Sequence, residues 1–125
     1  PFLKDGRKII NLASSSALRA DSKGYGAYAA VKEAIRALSR TAAVEWGPDN
    51  ILVNCIMPLA KSTGMEWWMN ERPEEAAKFV KTIPLGKVGD CKDDIGEAVC
   101  HLLSEGMSYI TGSTIMIDGG QAFLR

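Results

Sequence analysis

Two short apolar runs on either side of one long helical pattern constrain this chain most. Lys8-Ile9-Ile10-Asn11-Leu12-Ala13 comes first, and Ile51-Leu52-Val53-Asn54-Cys55-Ile56-Met57, closed by Pro58, comes second. The apolar residues of the first run do not alternate strictly, which suits a parallel strand covered on both faces. Between the runs, a helix is expected from Gly26 to about Trp46, stopped by Gly47-Pro48-Asp49-Asn50. Strand, helix and strand make a βαβ unit, whose crossover is right-handed in nearly all cases. A third strand is expected at Thr114-Ile115-Met116-Ile117, closed by Asp118-Gly119-Gly120. The chain is therefore expected to be α/β, with a parallel sheet and flanking helices.

The segments between these elements are short and mostly polar. Asp5-Gly6 signals a turn before the first strand. Ser14 to Tyr25 is small, polar and glycine-containing, so a loop is expected there. In open α/β sheets the crevice beyond the carboxyl ends of the strands is where ligands bind, and Ser14-Ser15-Ser16 stands at that edge. Lys61-Ser62-Thr63-Gly64 leaves the second strand at the same edge. The cluster Met65-Glu66-Trp67-Trp68-Met69 then precedes a helical pattern over Glu74–Val80. It is either a mobile cover over an apolar substrate or an ordinary packing patch. After Ile83-Pro84-Leu85-Gly86-Lys87-Val88-Gly89, an irregular connector, Asp93 or Asp94 is expected to cap a helix ending near Leu103.

The long helix carries Tyr28 and Lys32 four residues apart, on one face and one turn from each other. An ammonium there favours the ionised phenol, because an opposite charge within a few ångströms stabilises the charged form. A tyrosine tuned that way exchanges a proton with an alcohol or carbonyl near neutral pH. A serine hydroxyl at the end of the preceding strand is placed to hydrogen-bond the same substrate oxygen. The spacing alone is common in ordinary helices, so it gains meaning only from its context. On a helical projection Tyr28, Val31, Lys32, Ile35, Ser39, Ala42 and Trp46 share one side, and Ala30, Ala34, Ala37, Thr41 and Val44 the other. A helix lying on a sheet needs one buried side. The small second face suggests close packing against another helix, such as one from a second subunit, beyond alanine's helix propensity alone.

Charge and composition exclude several classes. Lys plus Arg equals Asp plus Glu at 15 each, so no nucleic-acid partner is expected. The 46% hydrophobic and 24% charged content is that of a globular protein. No apolar run is long enough to cross a bilayer, and no signal-peptide pattern opens the chain. Cys55, Cys91 and Cys100 make neither a CxxC nor a metal-ligand spacing. Reduced thiols in a cytoplasmic protein without a bound metal are expected. The lone His101 is expected to be a packing or surface residue.

Taken together these residues resemble the C-terminal half of the short-chain dehydrogenase/reductase family. The matching pieces are Ile10-Asn11-Leu12-Ala13-Ser14, Tyr28-x-x-x-Lys32 and Val53-Asn54-x-x-x-Pro58 with Thr63. Pro84-Leu85-Gly86-Lys87-Val88-Gly89 and Tyr109-Ile110-Thr111-Gly112 through Asp118-Gly119-Gly120 complete the set. Their order favours this family over the extended epimerase and dehydratase relatives. The resemblance implies part of a Rossmann-like doubly wound sheet and oxidoreduction of an alcohol or carbonyl with NAD or NADP. It also implies a homodimer or homotetramer. Tyr28 would be the proton donor or acceptor, and Lys32 would tune it and hold the nicotinamide ribose. Ser14, with Ser15 beside it, would orient the substrate oxygen, and Ile56, Pro58 and Thr63 would line the nicotinamide. The chain departs from the family at Leu59, where glycine usually follows the proline, and at Asp90-Cys91-Lys92-Asp93-Asp94. It has no glycine-rich phosphate cradle, so residues 1–125 would be one half of a single domain whose cofactor-gripping half lies before Pro1.

Overall fold

In the computed structural model, which describes residues 6–18 and 24–122, three parallel strands are ordered β1-β2-β3. The strands are β1 (Lys8–Leu12), β2 (Leu52–Pro58) and β3 (Thr114–Ile117). Lys8 pairs with Leu52 and Leu12 with Ile56, while Cys55 pairs with Thr114 and Pro58 with Ile117. Asp5 of the expected turn, the first residues of the chain and residues 19–23 of the expected loop lie outside the described residues.

The central strand explains why its sequence is so apolar. Every residue from Ile51 to Met57 is buried. Ile51 and Val53 pack on Ala42 and Ala43, while Cys55 and Met57 pack with Ala13, Ile35 and Leu18. Full burial of an aliphatic side chain of this size contributes about 1.5–3 kcal/mol. Asn54 is the exception in the run, and both its amide nitrogen and its amide oxygen are hydrogen-bonded. Its Nδ2 donates to the Ile110 carbonyl at 2.7 Å, and its Oδ1 accepts the Ser113 N–H at 3.1 Å. The asparagine thus ties β2 to the turn that feeds β3.

The long helix, α1 (Gly26–Trp46), runs over the expected 21 residues. It runs on into a 3₁₀ turn, Gly47–Asp49, which ends where Asn50 takes a left-handed conformation at φ 55°, a state that asparagine tolerates better than most residues. The Ile51 N–H then returns to the Trp46 carbonyl at 3.1 Å, sending the chain into β2. The helix buries only Ser39, Ala42 and Ala43 fully, with Lys32, Ile35 and Arg36 half-buried. Ala30, Ala34, Ala37 and Thr41 are exposed, and so are Leu38 at 68% and Val44 at 79%. Val31, expected on the sheet side, is exposed too. The sheet covers a narrower arc than the projection suggested.

After β2 the chain forms α2 (Thr63–Glu71) and α3 (Pro73–Val80), which pack on each other through an edge-to-face contact of Trp68 with Phe79. The expected helix after the connector starts earlier than predicted. Asp90 is its cap, accepting the N–H groups of Lys92 and Asp93 at 2.7 and 2.9 Å. A π-helical turn, Cys91–Gly96, leads from it into α4 (Glu97–Leu102). Asp94 is taken up elsewhere, by Lys87 at 2.8 and 2.9 Å and by the Asp90 N–H. These donors hold both carboxyls below the ordinary aspartate range, backbone N–H bonds leading at Asp90 and Lys87 at Asp94.

Candidate active site

The carboxyl ends of β1 and β2 bring the predicted groups to one edge of the sheet. At the end of β1, Ser14 is in extended conformation, and its hydroxyl accepts the Ser16 N–H at 3.2 Å. It thereby caps a 3₁₀ turn (Ser15–Ala17) that packs on α1. Ser14 and Ser15 are half-buried, and Ser16 is buried. No hydrogen bond among the described residues joins Ser14 or Ser15 to Tyr28.

Tyr28 and Lys32 stand on the first turns of α1. Tyr28 itself is 46% exposed. The Lys32 ammonium lies 5.6 Å from the centre of the Tyr28 ring, within cation–π range. Tyr25 meets the same ring edge-on at 6.0 Å. Lys32 also reaches back to the sheet, its Nζ donating to the Leu12 carbonyl at 3.0 Å. A side chain anchored in this way has less freedom to swing away, and two ammonium hydrogens remain for other partners.

At the end of β2, Pro58 pairs with Ile117 and is half-buried. Ile56 is 1% exposed, and its carbonyl receives the Ala13 N–H at 2.9 Å, so the side chain belongs to the interior. Thr63 is exposed on the first turn of α2, where Ser62 caps the helix by accepting the Met65 N–H at 3.3 Å. Leu59, the departure from the family pattern, is accommodated without strain. Its N–H extends the ladder to the Ile117 carbonyl at 2.9 Å, and it has no left-handed φ. It lines a cleft of about 500 Å³ with Pro84, Leu85, Met116 and Gly119. Gly89 lies against it so closely that a Cβ there would come 3.0 Å from the Leu59 carbonyl oxygen.

Two polar residues that the sequence did not single out support the site from below. Asn11 donates from Nδ2 to Ser39 Oγ at 2.9 Å, and Ser39 donates to the Ile35 carbonyl at 2.7 Å. The signal was a lone asparagine inside an apolar strand, in register with Cys55. Burial pushes the Cys55 thiol up, against weaker lowering by a backbone hydrogen bond with Ala13 and by Arg36. Among the described residues no group of histidine, cysteine and carboxylate side chains could hold a metal ion, and no helix is long and apolar enough to cross a membrane.

A three-stranded parallel sheet with flanking helices, with Tyr28 and Lys32 on the first turns of α1, defines an α/β chain in outline. The chain belongs to the short-chain dehydrogenase/reductase family: the family model described as Enoyl-(Acyl carrier protein) reductase matches residues 1–122. It is 41% identical over 121 residues to a 12alpha-hydroxysteroid dehydrogenase of Clostridium sp., covering 96% of this chain and 46% of that protein. It is 40% identical over 114 residues to a 3-oxoacyl-acyl-carrier-protein reductase of Chlamydia trachomatis, covering 91% and 44%. A short-chain dehydrogenase/reductase of Brucella melitensis, described as a glucose/ribitol dehydrogenase, superimposes with a TM-score of 0.85 at 26% identity, over 98% of this chain and 48% of that one. A mutant short-chain dehydrogenase/reductase of Serratia marcescens gives 0.81 at 31% identity, over 96% and 48%. The chain thus spans less than half the length of these relatives.

Proposed function

We propose that this chain is the C-terminal half of a single Rossmann-fold domain, and that the complete domain interconverts an alcohol and a carbonyl using NAD or NADP. The observation that carries this reading is the placement of Lys32, held by the Leu12 carbonyl at 3.0 Å while its ammonium stands against the Tyr28 ring. A scaffold helix has no need of that arrangement. Relatives named for a hydroxysteroid and a 3-oxoacyl group suit a substrate bearing a hydroxyl or a ketone.

The residues present fit a nicotinamide cofactor. Lys32 keeps two ammonium hydrogens for ribose hydroxyls, and Leu59 leaves the backbone after Pro58 in sheet register. The cofactor, when bound, supplies or accepts the hydride. Tyr28 Oη gives a proton to the carbonyl oxygen or takes one from the alcohol, and the Ser14 hydroxyl, with Ser15 beside it, orients that oxygen. Pro58 and Thr63 would border the nicotinamide, with Ile56 behind them in the interior. The same reading makes the protein a cytoplasmic homodimer or homotetramer. The apolar face of Leu38 and Val44, exposed among the described residues, supports that assembly.

The test is steady-state turnover of the full-length protein and its Tyr28→Phe variant with NAD(H) and NADP(H), alongside cofactor titration. Loss of turnover by about a hundredfold to ten-thousandfold, with cofactor binding retained, is expected. Turnover near wild type in that variant would remove Tyr28 from the chemistry.

A further inference from the structure

Tyr28 and Lys32 ride on α1, whereas Ser14 and the Leu12 carbonyl belong to the end of β1, so the site depends on how the helix is seated on the strand. Apolar packing alone defines that seating loosely. At one end of the contact Ala42 and Ala43 lie on Ile9, Ile51 and Val53, and at the other Ile35 lies against Ala13, Cys55 and Met57. Such attraction has no direction, and two alanines resist a small slide poorly. Between the two clusters stands Ser39, 2% exposed and the one polar side chain among the buried residues of α1.

Its hydroxyl is used twice. It donates to the Ile35 carbonyl at 2.7 Å and accepts from Asn11 Nδ2 at 2.9 Å. The next strand residue, Leu12, holds Lys32 through its carbonyl at 3.0 Å. Two consecutive residues of β1 therefore grip α1 at positions seven residues apart, about 10 Å along the helix axis. Unlike the alanine contacts, these bonds fail if the helix rotates or slides by one residue. The failure would leave the Asn11 amide without a partner beneath the helix, which opposes the movement.

We propose that Asn11 and Ser39 are positioning residues, whose hydrogen bond sets the height of α1 on β1 and so places Lys32 at the Leu12 carbonyl and Tyr28 beyond the strand end. This rests on the role proposed above for Tyr28 and Lys32. The experiment compares Asn11→Ala and Ser39→Ala with the restoring variant Ser39→Thr in the full-length protein. Ile83→Val, a buried change in the connector away from α1, serves as the stability control. Turnover, KM, melting temperature and crystal structures are measured for each.

A misplacement of this kind is expected to cut kcat about tenfold to a hundredfold in both alanine variants, with KM for the alcohol or carbonyl substrate nearly unchanged. Ser39→Thr should restore most of the loss, and Ile83→Val should lower the melting temperature while keeping kcat. In the Ser39→Ala crystal structure the Lys32 ammonium should have left the Leu12 carbonyl. Wild-type kcat in the alanine variants, or a kcat loss in Ile83→Val that follows its melting temperature equally, would overturn the proposal. So would a Lys32 contact unchanged in the Ser39→Ala structure. That structural result decides the matter even if the wild-type protein transfers no hydride, an outcome that would sink the catalytic role instead. Should an alanine variant fail to fold, Ser39→Cys keeps the side-chain shape, slightly enlarged, with a much weaker acceptor and is judged by the same criteria.

Discussion

Lys32 donates to the main-chain carbonyl of Leu12, a residue twenty positions earlier and on a different element. The contact joins helix and strand at the site, and it uses a backbone acceptor that no substitution at Leu12 removes. Under the proposed function, Lys32→Met should do more damage than Tyr28→Phe to cofactor binding, since it would take away the proposed ribose donors as well as the anchor. A weakening of cofactor affinity by about tenfold or more, near 1.4 kcal/mol, is expected in the full-length protein by fluorescence titration. Unchanged affinity would separate Lys32 from the cofactor.

Asp90 and Asp94 both titrate below the ordinary aspartate value of 3.8 because N–H groups and Lys87 stabilise their charged forms. A folded value lower than the unfolded one gives stability that is present above the unfolded value and is lost as pH falls through the folded one. Asp90→Asn and Asp94→Asn should each flatten the fall of the melting temperature below about pH 4. A fall as steep as that of the wild type in both variants would count against this assignment.

The three thiols should separate by accessibility. Cys91 and Cys100 are exposed, whereas Cys55 is buried with its titration pushed upward from 9.0 by desolvation. Because a raised folded value keeps the thiol neutral, its contribution holds at neutral pH and is lost only as pH rises through that folded value. An aromatic disulfide reagent at neutral pH should label two cysteines rapidly in this chain and the third only after denaturation. Rapid labelling of all three would mean that the centre of the sheet opens readily.

Expressed alone, the 125-residue chain is expected to self-associate. Among the described residues β1 pairs only with β2, so its outer edge presents unpaired N–H and C=O groups, a template for another chain. The exposed Leu38 and Val44 add an apolar face. Sedimentation should show dimers or larger species, and Leu38→Glu with Val44→Lys should reduce the assembly that runs through the helix. A stable monomer would show that neither surface is adhesive.

Much of the fold was legible because it rests on local rules. The apolar runs of β1 and β2 and the Gly47-Pro48-Asp49-Asn50 stop lie within a residue of the elements they predicted. The cap of the last helix was not legible, since Asp90, Asp93 and Asp94 all satisfy the same preference. The choice fell to Lys87, in the connector before the helix, which claims Asp94. Val31 was assigned to the sheet side by its angle on the helix, but its burial depends on how wide a surface β1 and β2 offer. That Tyr28 and Lys32 meet on one face of α1 was legible from their spacing. Asn11 and Ser39 were not, because an asparagine in a strand and a serine in a helix become informative only when the fold brings them together.

The register of the sheet also bears on how the chain acquires its structure. Lys8 meets Leu52 and Cys55 meets Thr114, so each strand pair closes a loop of roughly forty to sixty residues before its hydrogen bonds are gained. Long closures of this kind slow folding, whereas helical turns form within about a microsecond. α1 can therefore flicker into being before any strand is paired, and the helix bearing Tyr28 and Lys32 precedes the surface on which it comes to rest.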